Sequence, residues 1–170
     1  GVSIVDTFGS LLPSDLHLYL SLFVNNLSDD IKLGLHLHEN LSLSFALAIQ
    51  FINEINGSRE IIIDSSLLGM GRAPGNLPTE LIVPFLNRNC DKEYNLQLII
   101  KSIDEEILPL KRDFKWGYSP EYALTAFNRV HRSYAEYLSG DLSATLVQVN
   151  KVIENVVAEK LENSFDARFA

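Results

Sequence analysis

Two histidines one residue apart are the residues of this chain whose type and spacing best suit chemistry. His36 and His38 end the stretch "IKLGLHLH" (31–38), in which leucines alternate with other residues. Because side chains alternate between the two faces of a strand, both imidazoles should point to one face. Imidazoles at i and i+2 can bind one divalent ion together with a carboxylate from another strand. The alternative is a pair of surface or hydrogen-bonded core histidines, since the H-x-H pattern is short and common.

A second candidate is the glycine-rich stretch "DSSLLGMGRAPGN" (64–76). Its glycines permit positive φ values, and the helix that begins shortly afterwards could help its N–H groups to hold an anion. The spacing does not fit a dinucleotide site, because Pro74 stands where the third glycine is required. The alternative is a tight connection that only lets a helix pack back on a strand.

Three strands and three helices are predicted to position these residues. Apolar strands at 2–5, 31–38 and 60–63 are followed by stretches with apolar residues at helical spacing. Pro84 should mark an early kink or a delayed start of the third helix. This alternation indicates parallel β/α units. From Asp91 onward three helical stretches are predicted, broken by Pro109 and by two loops, so we divide the chain at 1–89 and 90–170.

Composition narrows the classes of partner. Of 170 residues, 46% are hydrophobic, and the net charge of −8 comes with scattered Lys and Arg, which argues against nucleic acid. The apolar runs are shorter than the roughly 18 residues that a membrane span needs, so no membrane partner is expected. A single cysteine, Cys90, and no recognisable signal peptide favour the cytoplasm.

Taken together, the three strand ends resemble a known family. "VDTFGSLLPSD", "GLHLHEN" and "IIIDSSLLGMGRAPGNLPTE" are similar to the last β/α units of the HMG-CoA lyase-like (DRE-TIM) metallolyases, most closely the 4-hydroxy-2-oxovalerate aldolase branch. The resemblance covers residues 2–88. It implies an α/β fold: the C-terminal portion, about three β/α units, of a TIM barrel, followed by a helical C-terminal region.

The resemblance also implies roles for individual residues. His36 and His38 would bind a divalent ion (Mn, Mg, Zn or Co), and a weaker similarity around "KWGYSP" makes Tyr118 a candidate catalytic proton donor. Glu39 departs from the family, whose members usually carry Asn or Asp there. The residues that would contact substrate are Asp6, Thr7, Asn40, Gly71, Arg72 and Asn76.

The implied activity is metal-dependent cleavage or formation of a C–C bond next to a 2-oxo acid, with pyruvate enolate chemistry. The family's Arg and the metal's Asp come from early strands that this sequence does not contain. We therefore expect a fragment that is inactive alone and needs the N-terminal barrel half. The helical tail could bind a second copy or a partner enzyme such as a dehydrogenase. Two alternatives stay open: a non-catalytic assembly module, and an acyl-CoA-dependent condensing synthase of the same superfamily.

Overall fold

The structure is a computed structural model that describes residues 1–55, 57–161 and 164–169. Its first half consists of three β/α units, as the alternation of strand and helix patterns predicts. The second strand is shorter than predicted, because the backbone leaves the sheet after His36 and His38 pairs with Asn76 instead. The elements are β1 (Val2–Val5), α1 (Pro13–Asn26), β2 (Leu33–His36), α2 (Ser44–Ile55), β3 (Ile61–Ile63) and α3 (Thr79–Asn89).

The three strands form one parallel sheet in the order β1-β2-β3. Its register pairs Val5 with His36 and Leu35 with Ile63. One face is covered by α1 and α2 and holds the main hydrophobic core, which includes Ile4, Leu16, Leu33, Leu35, Leu47 and Phe51. The opposite face, which carries His36, is not covered by these helices, so its side chains are open to solvent or to another part of the protein.

The second half is helical, as predicted. Val130, Tyr134, Val149 and Ile153 form a second buried cluster between its helices. Within the described ranges no helix is both long enough and apolar enough to span a bilayer. The helices are α4 (Leu96–Ser102), α5 (Leu108–Asp113), α6 (Pro120–Phe127), α7 (Ser133–Glu136) and α8 (Leu146–Ala158), with π-helical turns at Ile103–Ile107 and Tyr137–Asp141.

Pro109 behaves differently from the sequence-based prediction, and for Pro84 one of the two predicted alternatives is excluded. Pro109 was predicted to break a helix, yet helical backbone continues from α4 into α5. The π-helical turn Ile103–Ile107 lies just before the proline, and Leu108 donates its N–H to the Ile103 carbonyl across the wider ring. Pro84 lies inside α3, which begins at Thr79, so the predicted delayed start is wrong.

Candidate metal site at the strand ends

The two histidines lie side by side at the carboxyl end of β2. Their ring centroids are 5.0 Å apart and the ring planes meet at 84°. The intervening Leu37 is buried in the core on the other side. The prediction that His36 and His38 share one face is therefore confirmed, because period-two alternation continues past the end of β2.

Each imidazole is oriented by a hydrogen bond from Nδ1. His36 Nδ1 lies 3.1 Å from Asp64 Oδ2, and His38 Nδ1 lies 2.7 Å from the backbone carbonyl oxygen of Asp6. A carboxylate and a carbonyl only accept, so in the neutral imidazoles both Nδ1 atoms carry the hydrogen and both Nε2 atoms keep a lone pair. Metal-bound histidines in proteins are held in this way.

Burial shifts the pKa values of two groups at the pair, His38 and Glu39. The pKa of His38 is lowered mainly by burial, against the effect of the hydrogen bond to Asp6, and this favours the neutral imidazole that binds metals. Burial also raises the pKa of the Glu39 carboxyl to about 7. The Ser44 hydroxyl donates to Glu39. An uncharged, protonated carboxyl therefore lies next to the histidines at slightly acid pH.

A third protein ligand is not supplied by the part of the chain that the structure describes. Among these residues, no group of three or more His, Cys, Asp or Glu side chains could hold a metal ion. The Asp6 carboxylate accepts hydrogen bonds from the N–H groups of Ser10 (2.9 Å) and Leu11 (3.1 Å), which close the turn after β1. The residues present thus fit an incomplete metal site with two imidazole ligands.

Asn40, just after the histidine pair, contacts both the turn after β1 and the helical tail. It is buried, and its Nδ2 donates to the backbone carbonyl of Tyr122 at 3.4 Å. A Cβ on Gly9, which has a φ of +62°, would overlap Asn40 Oδ1. Asn40 therefore packs directly against the turn after β1 and contacts the tail. Thr7 lies in that turn and is exposed.

The glycine-rich loop lies beside the histidines, as predicted. His38 forms an antiparallel bridge with Asn76, and the Glu39 N–H donates to the Gly75 carbonyl at 3.0 Å. The Asn76 side chain donates to the Met70 carbonyl, and a Cβ on Gly71 would lie 2.7 Å from Asn76 Nδ2. Four backbone N–H groups already donate within this segment, those of Gly69, Met70, Gly75 and Asn76. These bonds favour a tight connection over an open anion cradle.

The tail docks on the same loop. Trp116 Nε1 donates to the Leu68 carbonyl at 2.9 Å, and Arg72 pairs with Glu136 through two hydrogen bonds. Tyr118 is exposed and lines a cavity of about 610 Å³ next to this docking point. The structure thus places Tyr118 and Arg72 at the tail, while His36, His38, Asp6, Asn40 and Asn76 meet at the strand ends.

Asp64 was missed as a functional candidate by sequence reasoning. Asp64 follows β3, and the pairing of Leu35 with Ile63 brings it next to His36. The signal was present, because carboxyl ends of adjacent parallel strands meet at one edge, but the register was not known from sequence.

Histidines at the carboxyl edge of parallel β/α units are characteristic of β/α enzymes, whose chemistry lies at that edge. Comparison with known families agrees with this class. The sequence profile described as HMGL-like matches residues 1–105, which is more than half of the chain. The chain therefore belongs to the HMGL-like family.

Named relatives are enzymes of carbon–carbon bond chemistry. A 4-hydroxy-2-oxovalerate aldolase from Marinomonas is 32% identical over 62% of this chain and 30% of its own length. An oxaloacetate decarboxylase from Mycobacterium tuberculosis is 31% identical over 51% of this chain and 24% of its own. This chain therefore spans about a third or less of these curated relatives.

A solved structure shows a similar fold. It is the N-terminal domain of a Bacteroides vulgatus protein assigned as an aldolase, with a TM-score of 0.68 and 25% identity. The match covers 84% of this chain and 46% of that one. Since the match spans most of this chain, it includes tail residues as well as the β/α units.

Proposed function

We propose that this chain is part of a divalent-metal-dependent aldolase that cleaves or forms a C–C bond next to a 2-oxo acid. Membership of the HMGL-like family and the aldolase and decarboxylase relatives support a lyase. Three strands cannot close a barrel of about eight, and by the family resemblance the three β/α units would be the C-terminal portion of a TIM barrel. A cytoplasmic location remains part of this proposal.

The observation that carries the proposal is the pair of Nδ1 hydrogen bonds. One exposed histidine can be held in this way without a metal, as His17 is by Glu54, but here two adjacent imidazoles are both held through Nδ1 and both leave Nε2 free, as metal ligands require. Asp64 and the Asp6 carbonyl provide this for His36 and His38. Imidazoles with one carboxylate suit Zn, Mn or Co, and Mg is a fourth candidate.

The chemistry follows from what an aldol cleavage needs. When bound, the ion supplies positive charge for the carbonyl and for the developing enolate. His36 and His38 would hold it, and their partners Asp64 and the Asp6 carbonyl fix the rings before the reaction begins. Asp6 shapes the turn that presents Thr7, and Asn40 and Asn76 hold the turn and the loop beside the substrate. Tyr118 is the proposed proton donor on the basis of the family resemblance, because its exposed side chain lines the tail cavity and has no contact with the histidines among the described residues. The third ligand, an arginine and a base would come from the rest of the barrel.

Arg72 and Gly71 have a different local role in this proposal. The Arg72 guanidinium is occupied by Glu136, so its contact with substrate would require that pair to open. Gly71 allows Asn76 to approach the loop closely. In this proposal Gly71 therefore shapes the loop beside the substrate. Arg72 offers no free charge to the substrate while it is paired with Glu136.

Metal binding by the complete protein tests the proposal. Calorimetric titration with Mn should show one site that His36→Ala abolishes. Asp64→Asn should weaken it about 10- to 100-fold, because partners of metal ligands have effects of that size. His17→Ala is the matched control, since His17 is exposed on α1 and pairs with Glu54. Equal losses in His17→Ala and His36→Ala would contradict the assignment.

Turnover tests the reaction class. Pyruvate release from a 4-hydroxy-2-oxo acid in the presence of Mn is expected from the complete protein. Condensation that depends on an acyl-CoA would instead identify the synthase alternative. Tight metal binding with neither reaction would count against catalysis, and absence of both binding and turnover would favour the assembly module.

A further inference from the structure

The glycine-rich loop contains two residues in a backbone conformation that favours glycine. Leu68 has a φ of 54° and Ala73 has a φ of 59°, although neither residue is a glycine. This left-handed region is unfavourable for a residue that carries a Cβ, and such a conformation persists only where the surrounding structure holds it. The shape of the loop therefore requires contacts that hold Leu68 and Ala73 in place.

The helical tail supplies a hydrogen bond to each of these two residues. Trp116 Nε1 donates to the Leu68 carbonyl at 2.9 Å, and the Gly117 N–H donates to the Ala73 carbonyl at 3.2 Å. The Trp116 ring also packs on the loop, because a Cβ built on Gly75 would lie 3.3 Å from Trp116 Cδ1. Two adjacent tail residues thus hold both strained positions of the loop.

The same loop holds the backbone next to the histidine pair. His38 forms an antiparallel bridge with Asn76, and the Glu39 N–H donates to the Gly75 carbonyl at 3.0 Å. Gly75 therefore lies against Trp116 and also accepts a hydrogen bond from the residue that follows His38. A loop released by Trp116 would release this backbone as well.

We propose that Trp116 is a positioning residue of the His36–His38 site. It holds the loop in the strained conformation that keeps His38 in place for a metal ion. This rests on the proposed function, in which the two histidines bind a divalent ion. Because coupling between two sites is reciprocal, an ion bound at the histidines should also hold the tail more tightly on the loop. The tail then contributes to metal binding without providing a ligand.

Trp116→Phe in the metal-free complete protein tests the first step. Phenylalanine keeps an aromatic ring and loses the N–H that donates to Leu68. Hydrogen–deuterium exchange, followed by mass spectrometry, should become about threefold or more faster in peptides from 67–76 and stay unchanged in peptides from α2, because only the loop is released. Lys111→Met is the matched control. Lys111 Nζ lies 5.3 Å from the centroid of the Trp116 ring, and its loss keeps both tail donors.

Metal affinity tests the second step. Calorimetric titration of the complete protein with Mn should show an affinity about three- to tenfold lower in Trp116→Phe, the range expected for one lost hydrogen bond. Adding Ala73→Gly should recover part of this loss, because glycine removes the strain at position 73. Lys160→Gly is the control for this recovery. Lys160 has a φ of 59° just after α8, so glycine relieves strain there without a change in the loop.

The reciprocal effect gives a readout that a role in overall stability would not produce. Saturating Mn should slow deuterium exchange about three- to tenfold in wild-type tail peptides that contain Gly117, since the two directions of a coupling have the same size. His36→Ala should abolish this slowing, and Trp116→Phe should reduce it.

The outcomes separate this inference from the proposed function. Wild-type Mn affinity in Trp116→Phe, with binding lost in His36→Ala, would overturn the role of Trp116 and leave the metal site standing. Equal recovery by Ala73→Gly and Lys160→Gly would also overturn it, because the recovery would then reflect overall stability. If the wild type binds no Mn, the proposed function fails and this inference fails with it. If circular dichroism shows that Trp116→Phe is misfolded, the slowing by Mn in the wild type decides.

Discussion

At the scale of single residues, Glu39 is the side chain most at odds with its surroundings. It directly follows His38, and burial raises the pKa of its carboxyl to about 7 from about 4.5. The folded protein therefore holds this proton more tightly than the unfolded chain does. Its stabilising effect is complete below about pH 4.5 and is lost as the pH rises through about 7.

Glu39→Gln should remove this pH dependence. Glutamine keeps the oxygen that accepts from the Ser44 hydroxyl and cannot ionise. Between pH 5 and pH 8 we expect the wild type to lose roughly 1 to 3 kcal/mol of stability relative to Glu39→Gln, after allowing for partial solvent access. Urea denaturation of metal-free protein at both pH values measures the difference. Glu93→Gln, at an exposed site, is the control. Parallel pH profiles for wild type and Glu39→Gln would disprove this assignment.

Single residues also show which contacts of the site could be predicted from the sequence and which could not. The common face of His36 and His38 follows from alternation, a local property, and was predicted correctly. The Asp64 partner depends on the register between β2 and β3, which no local pattern specifies. The pairing of Arg72 with Glu136 joins residues 64 positions apart, so their contact depends on how the tail docks.

At the scale of elements, a buried arginine caps the C-terminal end of α1. The last turn of α1 contains no basic residue. Arg59, just before β3, has a side chain that is 1% exposed and donates to carbonyls at that end, including Val24 and Leu27 at 3.4 and 3.5 Å. It also pairs with Asp29. A cation at a helix C-terminus is favourable, and here it also connects α1 to the β3 strand.

Arg59→Met should therefore destabilise the fold. Methionine keeps much of the apolar stem but leaves buried carbonyls without donors, so we expect a loss of about 2 to 4 kcal/mol. The urea midpoint reports the change. Arg88→Met removes an arginine from an exposed position on α3 and should change stability by less than about 0.5 kcal/mol. Equal losses of stability in Arg59→Met and Arg88→Met would show that Arg59 does not stabilise the C-terminal end of α1.

Element types were predictable where periodicity was strong. All three β/α units were predicted from apolar patterns, since each pattern reflects one buried face. Pro109 was misjudged because a proline in a helix is tolerated when a wider turn precedes it, and a π-helical turn has no clear sequence signature. The division of the chain at residue 90 stays a prediction, and the family match extends beyond it to residue 105.

At the scale of the whole molecule, the uncovered face of the sheet is the main feature. Val5 is 53% exposed and Ile62 is 43% exposed, and both lie on the face that carries His36. In a closed barrel that face is interior and packed by side chains from other strands. Exposed apolar side chains on a sheet with unpaired edges favour association.

The 170-residue chain alone should therefore be inactive and self-associating. It lacks a third ligand among its described residues, and loss of one donor that stabilises the transition state typically costs about 100-fold or more in rate. Ultracentrifugation should show oligomers that Ile62→Lys reduces, whereas Leu18→Lys, at an exposed position on α1, should not. Pyruvate release should appear only when the N-terminal segment of the complete protein is added. A monomer that turns over alone at the rate of the complete protein would refute the view that these β/α units need the rest of a barrel.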